Sequence, residues 1–162
     1  MLIRDATPDD AAAISRIYNQ GIEERIATLE TEFRGAEERA AWLARRDPRH
    51  PALVAVEENN VVGWASLNPF NSRPVYDYVA DFSVYVDREH RGSGVGSKLL
   101  AAIEQRAREL GYHKLVLAAF PWNTAGLRLY EHSGFVLVGT YREQGKLDGR
   151  WVDVVIMEQI LA

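Results

Sequence analysis

The sequence predicts a mixed α+β fold, a mostly antiparallel sheet with helices interspersed along the chain. Three observations carry this. Short apolar runs bounded by turn residues recur from end to end, as strands require. Between them lie stretches with helical spacing, the clearest being the stripe Val95, Leu99, Leu100, Ile103, Ala107 and Leu110. Two pairs of runs are joined by tight polar turns, one Glu-Asn-Asn and one Asp148-Gly149, which is hairpin chemistry.

Taken in order, Leu2 to Arg4 reads as a strand. Thr7-Pro8-Asp9-Asp10 reads as a helix start, with Thr as N-cap, Pro in the first turn and acids against the dipole. Ala13, Ile14, Ile17 and Tyr18 form the apolar face of that helix, and Asn19 to Gly21 is expected to interrupt it. Glu37 to Arg46 is a second helix, stopped by Asp47-Pro48. Ala52 to Val56 and Val61 to Leu67 form a hairpin, and Asn68 to Pro74 is a turn-rich loop. Tyr78 to Val86 is the central strand and Gly94 to Leu110 the long helix. Lys114 to Phe120 is nearly all apolar, as a strand covered on both faces is. Asn123 to His132 is a short helix ending near Gly134, and Val136 to Arg142 and Arg150 to Ile160 are the last strands.

The 162 residues suffice for a substantial core, and with no repeat, linker or low-complexity stretch, residues 1–162 are expected to form one domain. The chain contains no cysteine, which excludes disulfides, thiolate metal sites and a cysteine nucleophile. The four His residues show no metal-ligand spacing, so no metal is expected. No run approaches a membrane span and the N-terminus is not a signal peptide, so the expectation is a cytoplasmic protein without a membrane partner. A net charge of −4 argues against a nucleic-acid partner.

The segment Arg91-Gly92-Ser93-Gly94-Val95-Gly96 lies between the central strand and the long helix. A glycine-rich turn there presents backbone N–H groups in one direction, and the helix dipole adds positive potential suited to a diphosphate. The bland alternative is an ordinary strand-to-helix turn. Two familiar phosphate loops fail the test. Ser97 precedes Lys98 and Leu99 follows, so the Walker order is absent. The dinucleotide fingerprint wants an acid about 20 residues on, where Val116 stands. What remains, Arg-x-x-Gly-x-Gly, resembles the pyrophosphate loop of the GCN5-related N-acetyltransferase (GNAT) family, which holds acetyl-coenzyme A.

The element order resembles that fold over essentially the whole chain. Several segments are similar to its phosphinothricin or methionine-sulfoximine acetyltransferase branch: Ile17-Tyr18-Asn19, Ser72 to Asp77, Ala80 to Val86 and Gly149 to Val154. The resemblance implies a splayed sheet flanked by helices, acetyl-CoA as acetyl donor and a homodimer. It implies transfer of acetyl to the amino group of a small amino-acid analogue. The rivals are a peptide or protein N-terminal acetyltransferase and a non-catalytic acyl-CoA-binding sensor. With no cysteine to form an acyl-enzyme, transfer is expected to be direct.

Acetyl transfer needs a held thioester, a neutral amine, a polarised carbonyl and a proton for the leaving thiolate. Arg91, Gly92, Ser93, Gly94, Val95, Gly96 and Ser97 are the candidates to hold the diphosphate. The resemblance implies that Val84, Tyr85 and Val86 splay from their neighbour and pair with the pantetheine amides; composition alone reads them as core strand. Asp81 is odd in its apolar strand. The family branch has a glutamate there, proposed as a base, so the shorter Asp81 would act directly or through water; otherwise it is a structural acid. An amine with a pKa of about 8–10 is mostly protonated at neutral pH, which makes such a base necessary. Asn123 and Tyr130 lie two helical turns apart and resemble the family helix in which Asn contacts the cofactor and Tyr sits beside the sulfur. Arg73 matches an arginine that, by resemblance, meets the substrate's acidic end, a task suited to a guanidinium fork; alone it reads as surface. Tyr76, Tyr18, Asn19, Phe33 and Trp151 are candidates to line the same pocket.

Overall fold

The computed structural model describes residues 1–26, 28 and 30–161. In chain order its elements are β1 (Leu2–Asp5), α1 (Ala11–Glu24), α2 (Ala36–Ala44), β2 (Ala52–Glu57), β3 (Asn60–Pro69), β4 (Val79–Val86), α3 (Val95–Glu109), β5 (Lys114–Ala119), α4 (Thr124–His132), β6 (Val136–Leu147) and β7 (Arg150–Ile160). The strands form one seven-stranded sheet in the order β1-β2-β3-β4-β5-β7-β6. Every pairing is antiparallel except β4 with β5. The mixed α+β class expected above is the one observed.

Alternation along β4 divides the core into two halves. Ala80, Phe82, Val84 and Val86 pack with Leu99, Leu100 and Ile103 of α3. Tyr85 packs on the other face with Ile14, Ile17, Tyr18 and Ile22 of α1 and with Trp64 of β3. The parallel pairing of β4 and β5 is very short. It joins Val79, Ala80 and Asp81 to Lys114, Leu115 and Val116, after which the strands part. β4 runs on for five residues, paired on its β3 side alone. Between the parted strands stand the rings of α4 and the segment after it, with Tyr130 at 5.9 Å and Phe135 at 5.4 Å from Phe82.

Four expectations need correction. Helix α1 is not interrupted at Asn19 to Gly21 but runs to Glu24. Burial of Ile22 outweighs the roughly 1 kcal/mol that a helical glycine costs, and Asn19 faces outward, exchanging two 2.9 Å hydrogen bonds with the backbone of Arg34. Helix α2 ends at Ala44, because Arg46 turns inward to donate to the carbonyls of His50 and Leu67. β3 continues past Leu67 to Pro69, which sets Asn68 directly opposite Asp81. β6 extends to Leu147 through two irregularities, with Glu143 at φ 49° and its N–H held by Asp153.

Candidate active site

Two cavities meet at the place where β4 and β5 part. The larger, about 570 Å3, is lined by Val84, Tyr85 and Val86, by Arg91, Gly92, Gly94, Gly96 and Ser97, and by the first turn of α4. Gly92 and Gly94 hold φ values of 79° and 88°, which side chains with a Cβ rarely adopt, so the sequence needs glycine here for conformation. The Lys98 N–H is the first bonded back to Gly94, and the amides of Val95, Gly96 and Ser97 are left free at the start of α3. Free N–H groups, a helix N-terminus and a loop clear of side chains fit a diphosphate. Arg91 lies at this cleft with its guanidinium forked onto Glu24 at 2.8 Å on both arms, a pair that raises the guanidinium pKa and lowers that of the carboxylate. Two loop side chains do not reach the cleft. Val95 is core, 2% exposed, and Ser93 Oγ donates to the carbonyl of His90.

The smaller cavity, about 250 Å3, is lined by Asp81, Ser83, Leu117, Ala118, Phe120 and Thr28 among others. Val84, Tyr85, Asn123 and Tyr130 line both cavities. Burial pushes the Asp81 carboxyl up to about 6, and a hydrogen bond from Asn68 pulls it partly back. Burial, with the charge of Asp81 adding to it, pushes the Tyr130 phenol up to about 12. At neutral pH the pair is therefore a mostly ionised carboxylate that can accept a proton and a phenol that holds one. Asn123 caps α4, its Oδ1 accepting from Gly126 N–H at 3.1 Å. A Cβ on Gly126 would lie 2.6 Å from Asn123 Nδ2, so a side chain there would displace the Asn123 amide from its capping position.

Tyr18 is a wall behind the site and does not line either cavity. Its ring meets Tyr85 edge-on at 5.2 Å and its hydroxyl bonds Thr28 Oγ1 at 3.2 Å. Arg25, at the end of α1, ties the rim together: its carbonyl accepts from Trp122 Nε1 at 2.9 Å and its guanidinium pairs with Asp148 at 3.0 Å.

Other expected pocket residues lie away from both cavities. Asn19 is spent on the Arg34 backbone. Arg73 is exposed on the β3–β4 loop, at the head of a short 3-10 turn. Tyr76 packs edge-on against Phe70. Phe33 and Trp151 are each 62% exposed. For Trp151 the cause is strand length: β5 pairs with β7 only from Val155 onward, so the hairpin carrying Trp151 projects beyond it. Sequence reasoning missed Asn68, Arg46 and Glu24. Asn68 was hidden by ending β3 at Leu67, and neither charged residue stands out from ordinary surface charge in its helical segment.

The acetyltransferase (GNAT) family model matches residues 14–135. The L-methionine sulfoximine/L-methionine sulfone acetyltransferase of Salmonella typhimurium is 35% identical, covering 98% of this chain and 93% of the relative. A crystal structure of a phosphinothricin acetyltransferase from Sinorhizobium meliloti in complex with acetyl-CoA superposes with a TM-score of 0.93 at 28% identity, covering 99% of this chain and 88% of that one. The ribosomal-protein-alanine N-acetyltransferase of Brucella melitensis superposes with a TM-score of 0.95 at 37% identity, covering 99% of each chain.

The raised Asp81 carboxyl carries a stability consequence. Below about pH 4 the group is protonated whether the chain is folded or not. As pH rises from about 4 to about 6 the unfolded chain ionises while the folded carboxyl still holds its proton, and the fold loses stability that it does not regain at higher pH. Asp81→Asn is therefore expected to be more stable than wild type at pH 8 by about 1–3 kcal/mol, with the gain gone at pH 4. Urea unfolding across that range measures it; an equal gain at both ends would show that Asp81 is not held uphill by burial.

Proposed function

The chain belongs to the acetyltransferase (GNAT) family, and from that premise we propose that it acetylates the amino group of a small, acidic amino-acid analogue. It is an N-acetyltransferase that uses acetyl-CoA as donor. The observation that carries the substrate reading is the shared wall: Val84, Tyr85, Asn123 and Tyr130 join the glycine-loop cleft to the compact cavity of Asp81. When bound, acetyl-CoA supplies an acetyl thioester. Gly92, Gly94, Gly96, Ser97 and the α3 dipole hold the diphosphate, with Arg91 beside them. The unpaired edge of Val84 to Val86 offers N–H and C=O groups to an amide-bearing ligand, and an N–H there polarises a carbonyl. Asp81 takes the proton of the ammonium, directly or through water, and Tyr130 gives its proton to the departing sulfur. With no cysteine in the chain, transfer is direct.

For the acceptor's acidic group we assign Arg73, which lies outside both cavities of its own chain. Its guanidinium makes no ion pair among the described residues, and its loop leads into the strand bearing Asp81. The second reading, a peptide N-terminal acetyltransferase, is favoured by the likeness to the Brucella enzyme. Thiol release from acetyl-CoA with methionine sulfoximine, phosphinothricin, their neutral amides and an alanine-initiated peptide separates the two. The acids are expected to win over the amides, and Arg73→Ala to erase that preference at a cost of roughly 10–150-fold in kcat/KM. Preferred turnover of the peptide would put the second reading first.

Tyr130→Phe keeps the ring in its aromatic packing and removes the proton. Steady-state kinetics are expected to show kcat lowered roughly 10–1000-fold with KM little changed. Full kcat in a variant limited by chemistry would remove Tyr130 from the proton path.

The same proposal includes a cytoplasmic homodimer. No helix among the described residues is long and apolar enough to cross a membrane. β6 is a sheet edge on which Val136, Leu137, Val138 and Tyr141 are 56–64% exposed, an apolar edge that a second copy would cover. Sedimentation at micromolar concentration is expected to give a dimer, and Val138→Lys a folded monomer. A wild-type monomer would end this part of the proposal.

A further inference from the structure

The buried polar ladder between β3 and β4 does more than satisfy its own hydrogen bonds. Ser66 pairs across the strands with Ser83, and Asn68 with Asp81. Above it lies Arg46, its guanidinium 4.2 Å from the Trp42 ring and buried enough to be pushed down to about 10. One arm of Arg46 donates to the Leu67 carbonyl and, at 3.2 Å, to Asn68 Oδ1. Ser66 Oγ donates to the same oxygen at 3.0 Å. Arginine has donors and no acceptor, so the amide of Asn68 has a single permitted orientation, oxygen toward Arg46. Its NH2 is thereby aimed at Ser83 Oγ (3.1 Å) and Asp81 Oδ1 (3.4 Å).

We propose that Asn68 is the positioning residue for Asp81, its amide locked by Arg46 and Ser66 so that the carboxylate is presented to the substrate amine. The proposal rests on Asp81 being the base. The surroundings leave Asn68 this task. Toward Asp81 face Asn68 from β3, Ser83 from its own strand, Val116 in register from β5, Tyr130 from α4 and Thr28 across the cavity. Arg46 bonds the Asn68 amide and that amide bonds Asp81, so the carboxylate is supported by a polarised neutral donor. At 3.4 Å this is a long hydrogen bond, of the kind that strengthens as its acceptor gains charge. An ion pair in its place would hold Asp81 ionised and weaken it as a base; no donor at all would raise its midpoint and leave less of it ionised at mildly acidic pH.

The test uses two readouts. Carbon-13 NMR of the Asp side chains, with the Asp81 signal identified by its loss in Asp81→Asn, gives the carboxyl midpoint without catalysis. The pH profile of kcat/KM for acetyl transfer gives the acidic limb. In Asn68→Ala the midpoint and the limb are expected to rise together, so that at pH 5.5 the variant loses roughly three- to tenfold more activity than it does at pH 8. Asn68→Ser, which keeps a hydroxyl for Arg46 in a strand position, is expected to move both the same way, and it carries the test if the alanine variant does not fold. An unmoved midpoint overturns the positioning role and leaves the base assignment standing. A midpoint that rises while the limb stays still shows that Asp81 is not the base, and the proposal falls with that assignment.

Discussion

The short parallel pairing of β4 and β5 is the constraint on which the rest of this molecule depends. Three residue pairs hold the two halves of the sheet together. Beyond Asp81 and Val116, Phe82 and the ring of Tyr130 keep the strands apart. Had the pairing continued, the edge of Val84 to Val86 would be occupied and Asp81 sealed in a continuous sheet. The sheet gives up several hydrogen bonds to keep that edge open, and the packing of Leu99, Ile103 and Phe135 around Phe82 is what sustains the opening.

The two sides of the opening solve different electrostatic problems by different means. In the proposed reading phosphate is met mainly by backbone N–H groups and a helix terminus, with Arg91 already committed to Glu24. A chain of net charge −4 can thus bind a polyanion without a basic surface. In the same reading proton transfer is met by burial. Asp81 is raised because desolvation opposes its charge, and Tyr130 is raised for the same reason with Asp81 adding to it. One apolar environment therefore gives a base that can release its proton and an acid that keeps its own.

The glycine loop was readable in the sequence because its chemistry is local: a strand, glycines at fixed spacing and a helix, all within about fifteen residues of one another. Asn123 and Tyr130 were readable for the same reason, being two turns of one helix apart. The splay could not be derived from residue pattern, since β4 is as apolar as a fully paired strand would be; family likeness supplied it. Asn68 was missed because strand register with Asp81 is a property of two strands at once. Arg73, Phe33 and Trp151 show what residue chemistry alone does not locate. Each has side-chain chemistry suited to a pocket, but loop path and strand length, which composition does not encode, keep all three away from the cavities of their own chain. Helix α1 outran its expected end because tertiary burial of Ile22 overrode a local glycine signal.

Arg25 joins residues that are distant along the chain, 97 positions to Trp122 and 123 to Asp148. Ties of that span are closed late, since the entropy of a long loop must be overcome before the contact returns anything. During synthesis the helices and hairpin of the first half can associate as they emerge, but this knot waits for the Asp148-Gly149 turn to follow. The rim of the cleft is therefore among the last features to assemble, and a nascent chain has no finished mouth through which to take up ligand.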